Sequence, residues 1–301
     1  MKVGQMVGTQ EDHAPLAIFV YKRPMHTDRL LRSLARDPEF ASSPVFVFSD
    51  GPKTDEDMES VDEVRRICRA LTPPGTNVIE RHENLGLAGS LMAGITELCD
   101  RYGRVIVAED DLIFSPLALA YYNQALRRYE NDEQVMHIAG YMFPVAASLP
   151  DTFFYREASC WGWATWKRAW SHFNDDAHFL ITEIEKRNLV KRFNIEDSMY
   201  YMPMLKKQAR GELDSWAVPW YASVLLANGL TLHPGRPFVQ NEGFDGTGVH
   251  CNVTDAFRVK LRKRPVRRWP KRIEEEPRAV RAMIEYRSQQ RKPNGQNVED
   301  C

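Results

Sequence analysis

Three consecutive carboxylates follow directly on a short apolar run, residues 105–108, and are the side chains of this chain best suited to do chemistry. They are Glu109, Asp110 and Asp111. An apolar run of this length predicts a buried strand, and open α/β sheets bind ligands at the carboxyl ends of such strands. Mg²⁺ and Mn²⁺ prefer carboxylate oxygens and keep open positions that phosphate oxygens can fill. The triplet therefore predicts a divalent metal that holds a diphosphate; the alternative is an acidic turn that caps a helix over residues 115–129.

Composition limits the classes of protein to which the chain can belong. Its 301 residues, 43% of them hydrophobic and 27% charged, are enough for a large globular core. No apolar run approaches the roughly 18 residues that span a membrane, and no signal-peptide stretch follows Met1, so we expect a cytoplasmic protein. Five scattered cysteines without a Cys-x-x-Cys pair predict neither a disulfide framework nor a zinc site.

The spacing of the apolar residues predicts which elements position the triplet. In the first half, short apolar runs alternate with amphipathic stretches, which is typical of parallel strands joined by helices. The expected strands there cover residues 16–21, 45–48, 77–80 and 104–108. Further along we expect strands over 135–139, 152–155, 230–233 and 237–240, and helices over 182–193, 198–210 and 217–228. The pattern predicts a nucleotide-binding type of sheet with helices beside it.

Several separate segments share the order and spacing of one family. They are the strand at 15–21, Ser-Asp-Gly at 49–51, Asn-Leu-Gly at 84–86, the acidic triplet with Leu112, Trp-Gly-Trp at 161–163, the segment 212–216, and Gly-Val-His at 248–250. Over residues 14–251 the chain resembles the nucleotide-sugar glycosyltransferases of GT-A fold. More narrowly, it resembles the inverting group that includes N-acetylglucosaminyltransferase I and family-2-like sugar transferases of bacteria and phages.

The resemblance implies a Rossmann-like mixed α/β sheet with flanking helices, in a single domain with a basic C-terminal tail. We expect a flexible N-terminus over residues 1–13, a nucleotide-sugar-binding half over 14–134, an acceptor-binding and catalytic half over 135–252, and a basic extension over 253–301. The implied activity is a metal-dependent transfer of a sugar from a nucleoside-diphosphate sugar, expected to be a UDP-sugar, to an acceptor hydroxyl. The anomeric carbon is inverted in one direct displacement.

For the metal, Mn²⁺ or Mg²⁺, the resemblance implies Asp111 as the direct ligand, since the last acid of the family's triplet touches the ion. Glu109 and Asp110 are then expected nearer the ribose or the water molecules around the metal. His250, in a glycine-rich loop, resembles the family's C-terminal histidine, which completes the coordination or contacts the diphosphate. The local sequence alone favours a surface histidine at this position.

Asp214 resembles the family's catalytic base, which takes the proton of the acceptor hydroxyl, and Glu212 is the alternative base. A positioned base typically contributes about 10²–10⁴-fold to a rate. The local sequence equally allows Asp214 to cap a helix that starts near Ser215.

Polar residues at the ends of the first strands are expected to hold the nucleotide. Tyr21 and Arg23 follow the first strand and Asp50 follows the second. An aromatic face stacks on a base, and a carboxylate accepts hydrogen bonds from uracil or ribose. Asn84 opens a helix whose first N–H groups suit a phosphate. The alternative is ordinary turn chemistry, because Arg-Pro and Asp-Gly-Pro are common turn sequences.

The tryptophans after residue 160 are expected to form a wall against which a sugar ring packs. Trp161, Trp163 and Trp166 supply the aromatic faces, and Gly162 leaves room for close approach. The alternative is that these side chains belong to the core, where aromatic clusters are common.

Between residues 258 and 272, nine of fifteen residues are Lys or Arg and none is acidic. Such a run is usually a solvated surface, but charge this dense also binds nucleic-acid phosphates or anionic lipid. Two alternatives to the simple enzyme follow: the same chemistry with a modified DNA base as acceptor, and a non-catalytic module that binds nucleic acid or a membrane. The sequence leaves the acceptor open among glycans, lipid-linked sugars, small molecules and DNA, and it does not indicate an oligomeric state.

Overall fold

The computed structural model describes residues 13–246 and 253–290. Its strands are β1 (Leu16–Val20), β2 (Val45–Ser49), β3 (Asn77–Glu80), β4 (Arg104–Glu109), β5 (Leu112–Phe114), β6 (Val135–Ala139), β7 (Thr152–Tyr155), β8 (Trp163–Trp166), β9 (Leu230–Pro234) and β10 (Val239–Asn241). Its helices are α1 (Pro24–Leu34), α2 (Met58–Leu71), α3 (Gly86–Tyr102), α4 (Ala118–Arg128), α5 (Lys167–Trp170), α6 (Ala177–Lys186), α7 (Val190–Phe193), α8 (Tyr201–Ala209), α9 (Ala217–Leu226) and α10 (Pro277–Gln290). None of these described helices is long and apolar enough to cross a bilayer.

Eight strands form one mixed sheet in the order β3-β2-β1-β4-β8-β6-β9-β7. β1 is parallel to β2 and β4, and β3 is parallel to β2, with α1, α2 and α3 in the connections. β8 is antiparallel to β4 and β6, while β9 is parallel to β6 and antiparallel to β7. The strands β1 to β4, β6 and β9 therefore all end at the same edge of the sheet, called the site edge below. This arrangement confirms the mixed α/β fold predicted from the sequence.

The central strands are apolar along their whole length because both faces of the sheet are covered. Along β1, alternate side chains point to opposite faces, as a strand requires. Phe19 packs into a core with α3 and α9, whereas Ile18 packs into a second core with α1 and α4. Both side chains are almost completely buried.

The segment after the acidic triplet differs from the predicted helix over residues 115–129. β5 intervenes and pairs with the distant β10, and α4 begins only at Ala118. The hydroxyl of Ser115 donates to the carbonyl of Arg262 and accepts from the backbone N–H of Leu117 at 3.3 Å, in the turn before α4. The helix predicted over 182–193 is two helices, because Asn188 between them adopts a positive φ of 56°. The helix predicted from 198 begins at Tyr201.

The basic run, residues 258–272, is called the basic strap below. Its first part lies at the site edge of the sheet, and its later part runs beside β7 to the ring of Tyr129. The backbone N–H of Arg262 donates to the carbonyl of Pro237, and its guanidinium binds the carboxylate of Asp151. Trp269 stacks on Tyr121, with ring centroids 6.1 Å apart. The part of the predicted tail that the structure describes is therefore packed on the domain, and α10 follows it.

The fully buried His137 forms two hydrogen bonds. Nδ1 accepts from the indole N–H of Trp220 at 3.0 Å, and Nε2 lies 3.0 Å from the carbonyl oxygen of Ser159, to which it donates. Burial, with a smaller contribution from the charge of His233, lowers the pKa of His137 to about 3. The unfolded chain binds a proton near its ordinary pKa of 6.5, and the folded imidazole does not.

We therefore expect the protein to lose stability as the pH falls from about 6.5 towards about 3, by up to about 1.4 kcal/mol per pH unit from His137. Urea unfolding at a series of pH values measures this slope. His137→Gln should flatten it, and His178→Gln, which removes an exposed histidine, should not. An equal slope in wild type and His137→Gln would show that other groups cause the acid sensitivity.

Candidate functional site

Arg23 joins β1 to the acidic triplet at the site edge. Its guanidinium binds the carboxylate of Asp110 and donates to Oδ2 of Asp111 at 2.8 Å. Arg23 reaches these acids because it follows β1 directly, and β4 is the neighbour of β1 in the sheet. Asp110 is buried and Asp111 is half-buried, so Asp111 is the more accessible of the pair. The contact places a fixed positive charge beside two carboxylates at the end of β4.

The loop after β10 closes over the same acids. The backbone N–H of Glu242 donates to the carbonyl of Asp111 at 2.8 Å. A Cβ at Gly243 would collide with the Asp111 carboxylate, so a larger residue there would displace that carboxylate. Oδ2 of Asp245, in the same loop, lies 3.1 Å from Nε2 of His26. The glycine-rich loop noted in the sequence therefore contacts Asp111 through its first residues.

Asp50 ties the end of β2 to the start of α3. Its Oδ1 accepts hydrogen bonds from the backbone N–H groups of Leu85 at 3.0 Å and Gly51 at 3.2 Å. The Asn84 amide donates to the carbonyl of Gly51 at 2.7 Å and accepts from the N–H of Gly86. Asp50 and Asn84 therefore shape the turn that presents the N-terminus of α3.

Tyr21 is held by a residue that the sequence analysis did not select, Asp57. The Tyr21 hydroxyl donates to Oδ2 of Asp57 at 2.7 Å, and Lys22 binds Oδ1 of the same carboxylate at 2.6 Å. Burial and the hydrogen bond to Asp57 raise the pKa of Tyr21 to about 12. The phenol is therefore neutral, and it fixes the loop that follows β2.

Asp214 lies next to the turn formed by residues 84–86. Its Oδ2 is 3.9 Å from the position that a Cβ of Gly86 would occupy. The carboxylate is exposed and accepts no hydrogen bond from the residues that the structure describes. It does not cap α9, which begins at Ala217, so the helix-cap interpretation of Asp214 is wrong. Glu212, by contrast, forms a two-point ion pair with the Arg210 guanidinium in solvent.

The prediction that three tryptophans pack against a sugar ring is wrong for two of them. Trp163 and Trp166 lie in β8 at the centre of the sheet and are 0% and 3% exposed, so no sugar can reach them. Trp161 is half-buried and packs edge-on against Tyr141, with ring centroids 4.6 Å apart. Gly162 has a φ of 66°, and a Cβ there would lie 2.9 Å from Val239, so its close approach is to β10.

Cys160 is a residue of this region that sequence reasoning missed. Burial raises the pKa of its thiol, and the charges of Glu109 and Asp111 raise it further. Those charges act on the thiol because β8, which follows Cys160, is antiparallel to β4. The thiol therefore stays protonated beside the acids. Nothing in the sequence signals this, since a lone cysteine three residues before a strand carries no pattern.

The predicted metal ligands are only partly within the described chain, because His250 lies outside it. Among the described residues, no three His, Cys, Asp or Glu side chains gather to hold an ion by themselves. Mg²⁺ is commonly held by one or two carboxylates together with substrate phosphates. The pair of Asp110 and Asp111 fits that kind of site, with Asp111 as the accessible member.

Comparisons with known proteins give structural neighbours only. No protein-family model and no curated protein sequence matches the chain. One similar solved structure is a protein assigned as a nucleotide-diphospho-sugar transferase from Desulfovibrio desulfuricans G20. It shows 12% identity over 52% of this chain and 64% of that chain, with a TM-score of 0.32. This chain thus spans less than two thirds of that protein's length.

A second neighbour is the mannosyltransferase PcManGT from Pyrobaculum calidifontis, in complex with GDP-Man and Mn²⁺. It shows 14% identity over 71% of this chain and 74% of that chain, with a TM-score of 0.37. Because identities and TM-scores are this low, the case for an activity rests on the side chains of the site.

Proposed function

We propose that this chain is an inverting glycosyltransferase, which moves a sugar from a nucleoside-diphosphate sugar to an acceptor hydroxyl with Mn²⁺ or Mg²⁺. The observation that supports this best is the position of Asp214. An exposed carboxylate without a described hydrogen-bond partner lies beside the turn that opens α3, and Asp50 binds the same turn. A free carboxylate beside a helix N-terminus places a proton acceptor next to an anion-binding position.

The donor is expected to lie along the ends of β1, β2 and β4. The N-terminus of α3, starting at Gly86, offers backbone N–H groups to the diphosphate. Tyr21 and Asp50 lie at the ends of β1 and β2, where the base and ribose would rest, and UDP is our expected nucleotide. PcManGT is bound to GDP-Man, so guanine donors belong in any test.

Asp111, with Asp110 behind it, would hold the metal ion against the diphosphate. When bound, the ion offsets the negative charge that develops on the leaving diphosphate. Arg23 holds both carboxylates in a fixed orientation, because its guanidinium bridges them. Its positive charge also remains beside the leaving group.

Asp214 is the proposed base. The acceptor oxygen attacks the anomeric carbon as Asp214 takes its proton, and the bond to the diphosphate breaks on the opposite face. Two alternatives remain as outcomes of experiment: a modified DNA base as acceptor, and a non-catalytic binding module. A non-catalytic binding module has no need of accessible acids at the site. Asp111 and Asp214 are both accessible, which argues against that alternative.

We expect Mn²⁺-dependent release of nucleoside diphosphate from one donor in a panel of UDP-, GDP- and TDP-sugars, and we expect Asp111→Asn to lower it. Asparagine keeps the shape but removes the charge, so the loss should be on the order of 100-fold at limiting metal. The measurement is nucleoside diphosphate release against Mn²⁺ concentration.

The matched control is Asp100→Asn, which removes a surface carboxylate paired with Lys167 at the opposite edge of the sheet. It should behave as wild type. Calorimetry with each donor and Mn²⁺ covers the case in which turnover needs an acceptor. If no nucleotide sugar binds in the presence of metal, or if both variants lose activity equally, the proposed function fails.

A further inference from the structure

The basic strap leaves most of its charge without a partner. Eight of its nine cationic side chains are exposed, and only Arg262 is buried. Arg258 and Arg272 each contact an acid of the surface, Asp255 and Glu274. The other six have no carboxylate within 4.0 Å in the part of the chain that the structure describes: Lys260, Lys263, Arg264, Arg267, Arg268 and Lys271.

The strap is fixed in place by its backbone, so these charges cannot spread apart. The carboxylate of Asp151 accepts from the backbone N–H groups of Arg267 at 2.6 Å and Arg268 at 3.0 Å. The hydroxyl of Thr152 donates to the carbonyl of Arg268 at 2.8 Å. Thr152 pairs with Pro234, the last residue of β9, which places this part of the strap at the site edge. Holding like charges together costs energy that an anionic partner would offset.

A second feature of the same edge is apolar. Six large apolar side chains of the described residues are strongly exposed, and four of them lie at the N-termini of α1, α2 and α3, the helices that follow β1, β2 and β3. This apolar rim consists of Met25, 68% exposed, Met58, 50%, Leu85, 47%, and Leu87, 52%. These side chains expose apolar surface to water beside a polar site. A bilayer interface would cover that surface.

We propose that the site edge docks on an anionic lipid bilayer, with the basic strap against the headgroups and the apolar rim in the interface. Anionic leaflets attract clustered Lys and Arg, and exposed Leu and Met side chains add apolar burial that phosphate alone does not supply. The phosphates of a nucleic acid would bind the Lys and Arg side chains of the strap but would leave the apolar rim exposed. Trp269, the aromatic residue of the strap, stacks on Tyr121 and so is not free to stack on bases.

The docking goes beyond the proposed function and does not depend on it. If both hold, the acceptor hydroxyl is presented at the bilayer surface, because the candidate base and the rim share the turn of residues 84–87. A lipid-linked acceptor is then favoured over the soluble ones.

The test is co-sedimentation of the full chain with phosphatidylcholine vesicles, with and without phosphatidylglycerol, at increasing salt. We expect binding only with phosphatidylglycerol, weakening as salt rises. Lys263→Gln, Arg264→Gln and Arg267→Gln together should weaken it by on the order of 100-fold, since each charge contributes about fivefold. All three side chains are exposed, so folding should be unaffected.

The matched control removes three exposed charges from the opposite edge: Arg101→Gln, Lys167→Gln and Arg187→Gln. Arg101 is in the last turn of α3 before β4, Lys167 follows β8, and Arg187 binds the carbonyl of Leu226 at the end of α9. This variant should bind as wild type. Equal loss in both triple variants would show a non-specific net-charge effect and overturn the proposal.

The rim is tested by Leu85→Ser with Leu87→Ser, against Phe179→Ser in α6 as an equally exposed control. The first should weaken vesicle binding by on the order of tenfold and the control should not.

Absence of binding to anionic vesicles would overturn the proposal. Tighter binding to a duplex DNA fragment than to vesicles, lost in the strap variant, would also overturn it and assign the strap to nucleic acid.

Discussion

Asp214→Asn is expected to lower the turnover number by about 10²–10⁴-fold while leaving the KM for the donor within a fewfold of wild type. The asparagine amide has the size of the carboxylate but cannot accept the proton of the acceptor hydroxyl. Since Asp214 is exposed and accepts no hydrogen bond from the described residues, the change should not affect folding. The measurement is steady-state release of nucleoside diphosphate from the donor that the panel identifies.

Glu212→Gln is the control for this experiment. Glu212 lies two residues from Asp214, is also exposed, and is bound by Arg210. Its removal should change the turnover number by less than a few-fold. The opposite result, with Glu212→Gln inactive and Asp214→Asn active, would make Glu212 the base and require the loop of residues 211–216 to rearrange when substrate binds.

The first part of the fold was predictable because its signals are local. Each of the first four strands is a short apolar run, and the acids at 109–111 follow the fourth run in the sequence itself. Parallel strands end at one edge, so the sequence also indicated that Arg23 and Asp50 belong near the triplet. These are statements about strand direction, which follows from the alternation of strands with crossover helices.

Pairings between distant segments were not predictable. Arg23 binds Asp110 across 87 residues, and β5 exists only because the three residues of β10 pair with it. The strand β8 was missed because its Trp-Ala-Thr-Trp sequence, buried on both faces, shows no alternation. For the same reason Trp163 and Trp166 were expected at a surface that they do not reach.

The least predictable feature is a buried ion pair that attaches α10 to the sheet. Glu157 and Arg287 are 130 residues apart, are 3% and 1% exposed, and bind each other directly. The hydroxyl of Tyr201 donates to the same carboxylate oxygen, Oε1. The Arg287 guanidinium also lies over the ring of Phe143, 5.1 Å from its centroid, and Phe143 contacts Trp161. The pair therefore links α10, through Phe143, to Trp161.

We expect Arg287→Met or Glu157→Gln alone to lower the free energy of unfolding by about 3–5 kcal/mol, because each leaves its partner charged or polar and buried without its counterion. Urea unfolding followed by circular dichroism measures the loss. Hydrogen exchange in α10 then separates local release of the helix from global unfolding. Local release would expose α10 amides without moving the main transition.

The double variant distinguishes a coupled pair from two independent contacts. Arg287→Met with Glu157→Gln removes both charges, so the combined loss should fall short of the sum of the single losses by at least about 2 kcal/mol. Additive losses would mean that each side chain stabilises the fold through its other neighbours, Phe143 for Arg287 and Tyr201 for Glu157. In that case α10 is held by packing, and Arg156→Met, which breaks the ion pair with Glu275 that precedes α10, should cost as much as either single change.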